Sequence, residues 1–184
     1  MKVDQWKTEI DAVTHGFINQ FSSLIEDEFN WKPHTKVWSV AQNIDHVMVI
    51  NASYYPVIKH IREGKNRLPV HAGWNWLVRW FGNMILKSVA PDRKRKMKTF
   101  PIWEPAQSQL PVTLLTDFKH HQQELKQLID SCADLIAAGI VISSPANRSI
   151  VYTLETAFDI IVTHEKRHWQ QAIEIDSLRR STQV

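Results

Sequence analysis

The sequence predicts an all-α protein, a four-helix bundle with a long crossover between its second and third helices. Three observations lead there. Apolar residues recur at spacings of three and four in four long segments, capping residues and glycines punctuate those segments, and residues 64–110 lose the pattern. In the first segment Val3, Trp6, Ile10, Val13, Phe17, Phe21, Leu24 and Phe29 keep the helical period, so one helix is expected over 3–29, closed by Trp31, Lys32 and Pro33. Ser39 followed by Gln42 is a capping-box pattern. A second helix should start there and run to about Glu63, with Gly64 as its stop. Its arc centres on Val47, Ile50, Tyr54, Val57 and Ile61, while Asp45, Lys59 and Glu63 face water.

The crossover holds a short apolar helix at 74–88, a basic run and then Pro101, Pro105 and Pro111. A third helix is expected over about 112–137, with Leu115, Phe118, Leu125, Leu128, Ile129, Cys132 and Leu135 on one face and Gly139 at its end. The fourth begins near Thr153, an N-cap with Glu155 in the first turn, and ends near Leu178. The β-branched run within 140–144 is too short to build a sheet alone, so no sheet is expected.

The fourth helix carries the chemistry. His164 and His168 are four residues apart, one helical turn, so both imidazoles leave the same face within reach of one ion. That face is the apolar one, shared with Leu154, Ala157, Ile161, Ala172 and Ile175. Two buried neutral imidazoles need partners, and a divalent metal satisfies both at once. Two ligands make no stable site, so a third is sought among His15, His34, His46, His60, His71, His120 and His121. His46 is best placed, in a central turn of the second helix on the flank of its apolar arc. His60 sits near that helix's exposed end, and His120 and His121 fall on a polar stretch. Zn2+ and Ni2+ both suit imidazole, so the cofactor is expected to be one of these. Gln171 shares the histidine stripe and could donate to a bound water or substrate; Glu165 lies at the edge of the arc, read either as an acid/base or supporting group or as a solvated side chain.

Composition sets the remaining bounds. The 184 residues, 43% hydrophobic, fit one domain spanning 1–184. The start carries acids and no apolar run of signal-peptide length, and the apolar stretch from Val47 to Ile58 is broken by Asn51 and Ser53, so a cytoplasmic protein with no membrane partner is expected. Cys132 is the only cysteine, which excludes an intrachain disulfide and a thiolate metal cage. The net charge of +3 is modest, and much of it sits in Arg93, Lys94, Arg95, Lys96 and Lys98. Such a run reads as a solvated loop, so no nucleic-acid partner is expected. Core packing or a subunit contact, compatible with a homodimer, accounts for the eight tryptophans more simply than base stacking.

W-S-V-A-Q-N-I-D-H at 38–46, M-K-T-F-P-I-W-E-P at 97–105, S-P-A-N-R-S-I-V-Y-T-L-E-T-A-F at 144–158 and H-E-K-R-H-W-Q-Q at 164–171 resemble the DinB-like superfamily, which includes YfiT-type metal-dependent hydrolases. The resemblance spans nearly the whole chain. It implies a four-helix bundle whose metal is held by one histidine of the second helix and two of the fourth, here His46, His164 and His168. Relatives include thiol S-transferases that use bacillithiol or mycothiol, so it implies a small-molecule substrate, either a low-molecular-weight thiol or a hydrolysable compound. A non-catalytic metal-binding bundle or interaction protein is the alternative, since fold does not settle chemistry. H-E-K-R-H also matches the H-E-x-x-H pattern of zinc peptidases, with Glu165 as base. That reading is weaker: Gln171 stands where a metzincin has glycine, position 174 is glutamate, and no strand-rich half is available to hold a peptide.

Overall fold

In a computed structural model, residues 2–92 and 99–182 are described. The basic run read from 93 to 98 lies outside them. Four long helices, α1 (Lys2–Phe21), α3 (Val40–Arg62), α5 (Leu114–Ser131) and α7 (Leu154–Thr182), dominate the fold. Between them come α2 (Glu26–Phe29), α4 (Asn75–Ser88) and α6 (Ala133–Ala137). Helix α1 packs on α5 and α7, and α3 packs on the same two, so the four close a ring with α1 opposite α3. Two apolar clusters fill it. One is built around Ile10, Leu125, Ile129, Phe158 and Ile161, the other around Phe17, Phe21, Ile44, Val47, Phe118 and Ala172. Phe17 meets Phe118 edge to face at 5.2 Å, joining α1 to α5.

The second helix begins as its sequence predicts. Ser39 Oγ accepts from Gln42 N at 3.1 Å while Gln42 Oε1 accepts from Ser39 N at 3.3 Å, closing the capping box. At the other end Gly64 takes φ +67°, and Gly139 closes the third helical segment at φ +63°, where a side chain would be strained. Ser39→Ala is expected to lower stability by about 1–2 kcal/mol, because Ser39 is wholly buried and Gln42 N would lose its acceptor. Urea unfolding followed by circular dichroism measures this, and a change within error would show that water replaces the cap.

Three expectations are corrected. The first helix does not continue to Phe29; it stops at Phe21, and Leu24 N bonds Phe21 O in a turn before α2. Ser22 and Ser23, residues that compete with helical hydrogen bonds, occupy the break. Leu24 and Phe29 still enter the core, which is why their spacing mimics one helix. The third helix is likewise split at Cys132, whose N bonds Ile129 O three residues back, beside Ser131, whose hydroxyl bonds Leu128 O. Finally, Val141–Ser143 does find a partner. It pairs antiparallel with Val151–Thr153, and the small hairpin packs against α4. The 151–153 run reads as a helix approach because Thr153 also caps α7, its Oγ1 accepting from Thr156 N at 3.1 Å. No helix among the described residues is long and apolar enough to cross a membrane.

Candidate metal centre

His46 leaves the second turn of α3 and meets His164 and His168 from α7, the helix against which α3 packs most extensively. All three are buried, and one ring nitrogen from each lies within 4.8 Å of the other two. The ring centroids stand 4.3 to 5.1 Å apart. Trp38 closes one side, its ring 4.5 Å from His46 and nearly parallel to His168 at 5.8 Å.

Hydrogen bonds decide which nitrogens are available. His46 Nδ1 donates to the Trp103 carbonyl at 2.6 Å, leaving Nε2 with its lone pair. Asn43 Nδ2 donates to Ser39 O at 2.8 Å, which turns Asn43 Oδ1 toward His168 Nδ1 at 2.7 Å. That again frees the Nε2 lone pair. Ser39 thus caps the helix and, through Asn43, sets the tautomer of a histidine on another helix.

His168 Nε2 and His164 Nε2 approach to 3.0 Å. Two lone pairs at that distance repel unless a proton or a cation lies between them. Nitrogens about 2.0–2.1 Å from a tetrahedral ion stand roughly 3.3 Å apart, so the pair is spaced to within a few tenths of an ångström for one ion. Burial favours the neutral, ligating form. It pushes His46 down to about 4 despite the opposing Trp103 carbonyl, and it drives His164 well below the usual histidine range, helped by His46 and Arg167. His164 Nδ1 is buried without a partner among the described residues. Donor type, spacing and the tautomers of His46 and His168 all fit a divalent cation.

The cluster opens into a cavity of about 400 Å³, whose wall includes Trp38, Asn43, His46, His164, His168 and Gln171. Arg167, also on the wall, donates to Ser88 O at 2.6 Å and holds the end of α4 against α7. Exposed Lys36, Glu104 and Glu174 stand at its edge.

Glu165 is placed differently from Gln171. It is fully buried, which corrects the reading of a solvated glutamate. Its oxygens accept from Asn51 Nδ2 at 2.7 Å and Gln122 Nε2 at 2.9 Å, across the core between α3, α5 and α7. Burial raises its carboxyl to about 7 against the pull of those two hydrogen bonds. His121, the other well-buried histidine, stacks on Tyr55 at 6.1 Å and stands outside the three-histidine group.

Sequence reading alone missed Asn43 and the Trp103 carbonyl. Asn43 lies three residues before His46, a spacing that shares a helix face and was the available signal. A backbone carbonyl from a crossover has none. Asn43→Ala is expected to weaken metal affinity about 10–100-fold, because His168 loses the acceptor that orients it. Competition against a chromogenic chelator reads this, and unchanged affinity would remove Asn43 from the site.

Comparison with known proteins adds one match. No curated protein and no solved structure matches the chain significantly. The family model of the DinB superfamily matches residues 9–172, a span that contains His46, Asn43, His164, His168 and Gln171, and the chain therefore belongs to the DinB superfamily.

Proposed function

We propose that this protein is a metal-dependent enzyme acting on a small molecule, with His46, His164 and His168 holding Zn2+ or Ni2+. The observation that carries the reading is the convergence of three buried imidazoles on the wall of an open cavity. A structural site closes with four protein ligands, whereas three ligands beside a cavity leave a position for substrate. Among the described residues no other His, Cys, Asp or Glu joins the group. When bound, the ion supplies Lewis-acid activation of a water or a thiol. The chain's own residues do the rest. Trp38 shields the imidazoles, Asn43 and the Trp103 carbonyl hold two of them in the ligating tautomer, and Gln171 offers an amide to orient the bound molecule.

Transfer of a low-molecular-weight thiol to an electrophile is the reaction we place first, because imidazole ligation of zinc or nickel leaves an open position suited to a soft thiolate. Hydrolysis of a small ester or amide comes second. The peptidase reading is disfavoured by Glu165, whose two oxygens are engaged by Asn51 and Gln122 in the core. The test is a screen of thiols and electrophiles beside esterase, amidase and lactonase substrates, using tag-free protein loaded with zinc or nickel. Activity abolished by His46→Ala supports the enzyme; an inactive protein with full metal occupancy makes it a metal-binding bundle. Metal-dependent proteolysis abolished by Glu165→Gln would restore the peptidase.

A further inference from the structure

Half of the large apolar side chains exposed among the described residues fall in one stretch of the crossover: Leu68, Val70, Trp74, Trp76, Trp80 and Met84. Trp76 and Trp80 are 63% and 53% exposed, an unusual state for so large an apolar ring. They and Met84 are spaced by four along α4, so they share one face, and Lys87 returns to that face one turn on. Arg79 borders it and is exposed.

The orientation of α4 is fixed from behind. Val78 and Gly82 are its buried residues, and Gly82 lies so close to α7 that a Cβ would stand 2.9 Å from Thr156 Cγ2. A larger residue there would lift the helix. Arg167 holds the helix end through Ser88 O. The tryptophans therefore cannot rotate into the core without undoing these contacts.

Charge selects what covers the face. From residue 64 to residue 91 the chain has no aspartate or glutamate; Lys65 pairs with Glu63 at 2.9 Å, and Arg67, Arg79 and Lys87 are exposed. A second copy docked by the same face would bring Arg79 and Lys87 against their own equivalents with no acid in the segment to answer them. An anionic lipid surface supplies the missing charge, and the interface of a bilayer is where tryptophan rings beside Lys and Arg settle. We infer that α4 and the turn before it form a peripheral docking face for anionic membranes, with Trp76, Trp80 and Met84 entering the interface and Arg79 and Lys87 meeting the headgroups. This revises the expectation of no membrane partner without requiring a spanning helix. Ser88 and Val89 also line the metal cavity, so a docked molecule holds that cavity close to the lipid surface.

Co-sedimentation of the full chain with vesicles tests the inference, comparing phosphatidylcholine alone with phosphatidylcholine containing phosphatidylglycerol. Binding is expected to the anionic vesicles only. It should fall about tenfold or more in a W76S/W80S variant and in an R79E/K87E variant, and again on raising salt well above physiological strength. Circular dichroism checks that both variants stay folded; should either fail, the lipid-charge and salt comparisons on the unaltered protein decide. Equal binding to both vesicle types, or no binding, overturns the inference. So does binding that neither variant alters, which would assign it to the untouched 93–98 run. Light scattering that shows a dimer broken by W76S/W80S, with no vesicle binding, gives the face to a second copy; duplex DNA binding lost in W76S/W80S gives it to nucleic acid.

Discussion

Replacing His46, His164 or His168 by alanine is expected to strip the divalent ion from the purified protein and leave its helical circular dichroism intact. The two effects separate because ligation and folding rest on different atoms. The ring of helices is held by clusters that run from Trp6 and Ile10 to Leu125 and Phe158, and from Phe17 to Phe118, independently of the imidazoles. Each imidazole offers one of the three nitrogens that the described residues bring together. Loss of a ligand should therefore cost more than the 10–100-fold that loss of an orienting partner such as Asn43 costs. Acid should have the same effect in the unaltered protein, because protons compete with the ion for the same lone pairs. Elemental analysis of tag-free protein, alongside far-ultraviolet dichroism, measures both quantities. Full occupancy in all three single variants would sink the site.

The parts of this protein legible in the sequence are those governed by short-range rules. The Ser39–Gln42 box, the stops at Gly64 and Gly139 and the four-residue spacing of His164 and His168 each depend on one or two turns of chain, and each forms as read. What was not legible depends on distant partners. Periodicity cannot register the breaks at Ser22–Ser23 and Cys132, because the core accepts apolar side chains from both sides of each break. The hairpin needs 141–143 and 151–153 to be recognised together, although Thr153 also serves the helix that follows. The tautomer of His46 is set by a backbone carbonyl 57 residues away, and carbonyls carry no sequence signal. Glu165 was open to misreading for a similar reason: on its own helix it sits at the edge of the apolar arc, and Asn51 on α3 and Gln122 on α5 make a buried carboxyl tolerable there.

Glu165→Gln is expected to change how stability depends on pH, by up to about 3 kcal/mol at alkaline pH. The carboxyl is raised from the usual 4.5 to about 7 in the folded protein, chiefly by burial. Between those values the folded chain keeps a proton that the unfolded chain releases. Its contribution to stability is thus fully present below about pH 4.5, declines as pH rises and is lost by the time pH passes about 7. The glutamine amide does not titrate, so the variant should lack this decline and become the more stable of the two above neutrality. Hydrogen bonding permits the exchange. Asn51 Oδ1 and Gln122 Oε1 are buried without partners among the described residues, so a half-turn of either amide presents an oxygen to the new nitrogen. Urea unfolding of chelator-treated protein and variant across this pH range measures the term as the difference between the two. A difference in stability that stays constant with pH would mean that Glu165 is already ionised when buried, held so by Asn51 and Gln122 more strongly than burial opposes it.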